Sequence, residues 1–204
     1  ERPMLSALTQ FWNPNLRCFE LPSLDLVPTI EEYEEMLNIP HKKNASVYLY
    51  KGNRVGGKKM AKLIGLQADP VKLEENVWKK TLLENHLEKQ AELGNWENFN
   101  KTLALLIYGL VLFPFKIGMV DQEAMDVFYQ YEKEGATPVP AILADTLISA
   151  NICRQNEGGT LKCCSHLLYI WIMTHLYAAN HMGLMPDPLK NFPHILSKKQ
   201  EARV

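Results

Sequence analysis

No stretch of this 204-residue sequence reads as a membrane span. Its central apolar stretch, Leu103–Phe115, is about thirteen residues long where a spanning helix needs about twenty. Neither sign of charge is in excess. The 22 basic and 23 acidic side chains leave a formal net charge of −1, so the totals favour neither nucleic acid nor an anionic membrane surface as partner. Cysteine is scarce. The 4 cysteines, Cys18, Cys153, Cys163 and Cys164, contain no C-x-x-C pair, and they read as reduced thiols of an intracellular protein. A serine-hydrolase elbow, G-x-S-x-G, is missing, and so are internal repeats and low-complexity tracts. The chain begins at Glu1 rather than methionine, so the lack of a signal peptide excludes nothing.

The apolar share, 47%, is that of an ordinary globular protein. The chain is organised around Asn98–Phe115, NFNKTLALLIYGLVLFPF. Its flanks point to a buried helix rather than a strand: Asn95 can cap it, Glu97 suits its positive first turn, and Pro114 closes it. Because it is apolar on every side, other helices are expected to surround it.

Around this stretch the chain reads as follows. Leu16–Phe19 and Leu24–Val27 suit short strands. Thr29 and Glu32 form a capping box before a helix with Ile30, Tyr33 and Leu37 on one face. Ser46–Tyr50 suits another strand, and Lys59–Leu66 a short helix burying Met60, Leu63 and Ile64. Asp69-Pro70 starts a helix that carries Val71, Val77 and Trp78. Thr81–Leu93 is an amphipathic helix ended by Gly94. Asp121 caps a helix that faces Met125, Phe128 and Tyr129 inward and stops at Gly135. Pro138-Val139-Pro140 leads into a helix over Ala141–Cys153. Thr160 caps a second apolar helix, LKCCSHLLYIWIMTHLYAA. Residues 183–204 read as a loop and a frayed tail. The expectation is an all-α domain over 1–204, with one or two short strand pairs near the N-terminus. Helices 98–114 and 161–179, both apolar all round, are expected to cover one another, with Trp171, Tyr169 or Leu168 filling the notch at Gly109.

Several patterns carry chemistry, each beside a plainer reading. GNRVGGKK, Gly52–Lys59, has the spacing of a phosphate-cradling loop, and Ile142–Asp145 imitates the aspartate-tipped run that accompanies one. Yet Lys59 stands where a Mg²⁺-binding hydroxyl is required, and Pro138 and Pro140 make 142–145 a helix start. The strand–helix alternation of such enzymes is absent too. A nucleotide-binding or hydrolysing enzyme is therefore the alternative reading, and a basic turn before a helix the favoured one. Cys163 and His166 lie three apart on one helix, with His175 and His181 further on, but four zinc ligands must meet at a point and His175 is over two turns beyond His166. A nucleophile built from Cys163 or Cys164 with His175 lacks any family signature. The carboxylate pairs Glu31/Glu32 and Glu34/Glu35 read as a solvated helix face. Lys42, Lys43, Lys51, Arg54, Lys58, Lys59 and Lys62, interleaved with Tyr48 and Tyr50, form a basic 42–62 region. It suits nucleic-acid phosphates as a second alternative and a solvated loop as the plainer reading. No catalytic, cofactor-binding or metal residue is assigned.

ALLIYGLVLFP (Ala104–Pro114), ILADT (Ile142–Thr146), GGTLKCCSHLLYIWIMTHL (Gly158–Leu176) and LTQFWNPNLRCFELPSLDLVPTIEEYEEML at the front together carry a resemblance covering 5–176. The chain resembles an uncharacterised plant domain allied to the transposon-derived plant mobile domain (aminotransferase-like plant mobile domain) family. The resemblance implies a non-catalytic protein-interaction domain of a mobile-element-derived protein, linked to nuclear silencing or gene expression through protein partners. It supplies no catalytic residues. Relatives run on past the counterpart of His175, which implies that this chain is a C-terminally shortened member.

Overall fold

The computed structural model describes residue 5 and residues 7–21, 24–39, 46–48, 54–67, 76–156 and 161–181, with side chains to 176. The fold is predominantly α-helical with two small antiparallel sheets. The chain divides into two compact units, Glu1–Pro40 with Leu143–Val204, and His41–Ile142.

The first unit opens with a 3₁₀ turn, Thr9–Phe11, and a three-stranded sheet of β1 (Trp12–Asn13), β2 (Cys18–Glu20) and β3 (Asp25–Leu26). Phe19 is paired across to Trp12 on one side and Leu26 on the other. Helix α1 (Ile30–Met36) follows, and its capping box forms as the sequence predicts: Thr29 Oγ1 accepts from the Glu32 amide, and the Glu32 carboxylate accepts from the Thr29 amide. Its inward residues are Tyr33 and Glu34, whereas Ile30 is left 38% exposed. In a helix of 7 residues a three-position periodicity is too short to fix the buried face. Trp12 and Trp171 both pack on Phe19, with ring centroids at 5.0 and 6.1 Å, and form the aromatic centre of this unit.

The second unit holds helices α2 (Gly57–Ile64), α3 (Lys80–Glu92), α4 (Trp96–Ile107) and α5 (Gln122–Glu134). Strand β4 (Val77–Lys79) pairs antiparallel with β5 (Met119–Asp121), setting Trp78 against Val120. This corrects the expected helix through Val77 and Trp78: valine and tryptophan suit a strand, and the buried Trp78 alternates with the exposed Lys79. The predicted start of that helix, Asp69-Pro70 with Val71, lies outside the described residues. Of the predicted strand Ser46–Tyr50, Val47 makes an isolated bridge to Thr137, and Leu49 and Tyr50 lie outside the described residues. The caps on α4 and α5 are those the sequence predicts, Asn95 accepting from the Asn98 amide and Asp121 from the Ala124 amide. Gly135, at φ +64°, ends α5 in a left-handed conformation that glycine adopts without a Cβ penalty.

The central stretch is not one α-helix. After Ile107 it widens into a π turn, Tyr108–Leu112, and Phe113 donates its amide to the Tyr108 carbonyl at 2.8 Å. Its notch is filled by a residue the sequence did not single out. A Cβ built on Gly109 would lie 2.5 Å from both methyl carbons of Val120. The expected filling of the notch by Trp171, Tyr169 or Leu168 is thereby corrected; α4 belongs to the second unit, and α7 (Ser165–His181) to the first. The α6 helix (Val139–Gln155) begins two residues before the expected Ala141. Helix α7 begins four residues later than the expected Leu161, because the Ser149 hydroxyl takes the Lys162 amide at 2.6 Å and holds that segment out of the helical ladder. Thr160, the expected cap, lies outside the described residues.

Candidate functional site

The loop with P-loop spacing is described from Arg54 onward; Gly52 and Asn53 fall outside the described residues. Gly56 precedes α2, whose N-terminus would have to cradle the phosphate. That end already faces a carboxylate: the Val55 amide donates to Asp126 Oδ1 at 2.7 Å, and Gln122 Nε2 bridges Asp126 and the Val55 carbonyl. Burial pushes the Asp126, Asp121 and Glu123 carboxyls above their usual range, and Asp121 and Asp126 raise Glu123 further. Arg54 acts the other way on Glu123 and Asp126. A phosphate would therefore meet an acidic wall. Ile142–Asp145 lies inside α6, not at the end of a strand. The same acids affect the basic region. Arg54 faces carboxylates, while Lys59 and Lys62 are exposed, and Lys42, Lys43, Lys51 and Tyr50 are outside the described residues.

Among the described side chains the cysteine–histidine set does not converge. Cys163 is 1% exposed and burial pushes its thiol up to about 12, whereas His166, three residues on, is exposed. Cys164 is also buried, with its thiol pushed up by the same cause. A buried thiol that resists ionisation makes a poor nucleophile or metal ligand.

His175 has another role. Its Nε2 lies 2.8 Å from Glu32 Oε1 and its Nδ1 lies 2.8 Å from the Trp171 carbonyl oxygen. Both ring nitrogens thus face acceptor oxygens, one on a side chain and one on the backbone. The other Glu32 oxygen accepts from the Trp171 indole at 2.9 Å and from the Thr29 amide at 2.8 Å. Burial raises the Glu32 carboxyl, but the Thr29 amide, the Trp171 indole and the His175 charge outweigh it and leave the pKa below its ordinary value. Glu32, which reads in the sequence as a capping residue on a solvated face, is a junction between α1 and α7. No spacing rule could have found it, because its partners lie about 140 residues away and only the fold brings them together.

The surface of α4 carries what the sequence analysis missed. Leu103, Ile107, Val111 and Phe115 are between 38% and 49% exposed, at a constant spacing of four. Trp96, at 59%, and the half-buried, edge-packed Phe99 stand earlier on the same helix, whereas Phe115 and Ile117, at 92%, follow the end of the π turn at Leu112. This corrects the expectation of a helix covered on every side. In a pure α-helix a spacing of four advances about 40° per step, so the row would wind around the axis. The π turn at Tyr108–Leu112 fits an extra residue into one turn, which offsets that advance between Ile107 and Val111. The signal was present in the sequence as the four-residue spacing. A run apolar on every side gives no contrast from which to pick out an exposed face.

The chain belongs to one protein family, a domain of unknown function (DUF7745), which matches residues 1–201 and so spans both compact units. No curated protein and no solved structure matches it. Among the described residues no helix is long and apolar enough to cross a membrane.

Proposed function

We propose that this chain is a non-catalytic protein-interaction domain of a plant mobile-element-derived protein, acting in nuclear silencing or gene expression by recruiting protein partners. The observation that supports the reading best is the exposed apolar face of α4 and its π turn. Scattered exposed apolar residues are ordinary, but Trp96, Leu103, Ile107 and Val111 all lie exposed on one helical segment, and such a grouping suits a contact surface. An amphipathic face of this kind recognises partners through anchors at repeated helical spacing. The nuclear and mobile-element parts of the proposal rest on the resemblance carried by Ala104–Pro114 and Gly158–Leu176.

The test compares the parent chain with Ile107→Glu as bait in plant nuclear extract. The reading expects a defined set of proteins retained by the parent and lost with the variant, and each one rebinding the purified parent chain. Equal retention by both baits, with matching thermal melts, would refute it.

A further inference from the structure

We draw no further inference here: the strongest candidate, the exposed apolar face with Leu103, Ile107 and Val111 on α4 and its π turn, carries nothing beyond the interaction reading above, because nothing in the structure shows what covers it.

Discussion

Replacing Gly109 by alanine tests the packing of the second unit at its tightest point. In an ordinary helix the change is favourable, because glycine costs up to about 1 kcal/mol relative to alanine. Here the added Cβ would lie 2.5 Å from Cγ1 and Cγ2 of Val120 and 2.8 Å from its Cβ, well inside the 3.5–4.0 Å at which carbon atoms attract. Something must move by about an ångström. Val120 is fully buried and paired to Trp78 across β4 and β5, so it cannot retreat without disturbing the sheet. Forcing an extra methyl into such a site costs about 1–3 kcal/mol, which outweighs the helical gain and leaves a net loss of roughly 1–2 kcal/mol. Urea unfolding of the parent and Gly109→Ala, followed by far-UV circular dichroism, should show a lower midpoint at unchanged slope. The cause is isolated by a double-mutant cycle with Val120→Ala, which removes both clashing methyls. The Cβ of residue 120 remains 2.8 Å from the added methyl, so in that background Gly109→Ala should cost less than in the parent without becoming free, with a coupling of at least about 1 kcal/mol. A Gly109→Ala variant as stable as the parent, or two substitutions whose effects simply add, would refute the argument.

Three further outcomes follow from the other sites. Glu32→Ala removes the acceptor for the Thr29 amide, the Trp171 indole and His175 at once, and should lower stability by about 2–4 kcal/mol in the same urea assay; a loss no larger than that of an isolated cap would show the α7 contacts to be inert. The pH dependence should contain two opposed components. The Glu32 pKa is depressed on folding, so its contribution is complete above the ordinary carboxylate value and is lost as pH falls through the folded one. The Asp126 pKa is raised by burial, so acidification from neutrality adds stability as pH falls through its folded value towards the unfolded one. Stability curves of Glu32→Gln and Asp126→Asn should each lose their own component, and curves parallel to the parent's would contradict the assignment. Finally, ATP with Mg²⁺ at millimolar concentration should leave the melting temperature unchanged, because Asp126 already occupies the Val55 amide; a rise that Lys58→Ala abolishes would restore the nucleotide reading.

What the sequence disclosed and what it withheld divide along a physical line. The helix ends were legible: Thr29 with Glu32, Asn95, Asp121 and Gly135 all act where they stand, because capping is decided within one turn of chain. The predominantly helical class followed from the same local signals and from apolar periodicity. Trp78 was misread for want of its partner, since a three-residue strand is defined by the chain it pairs with, here Val120, and not by its own residues. The Glu32–His175–Trp171 junction was hidden for the same reason. The central apolar helix was misjudged for a different one. A run that is apolar all round was taken to need cover all round. That inference holds for a chain that closes its surface alone. Leu103, Ile107 and Val111 are exposed while Gly109, Leu105 and Leu106 on the same segment are buried, so its apolar content exceeds what the second unit uses for its own core. Folding alone does not account for the surplus.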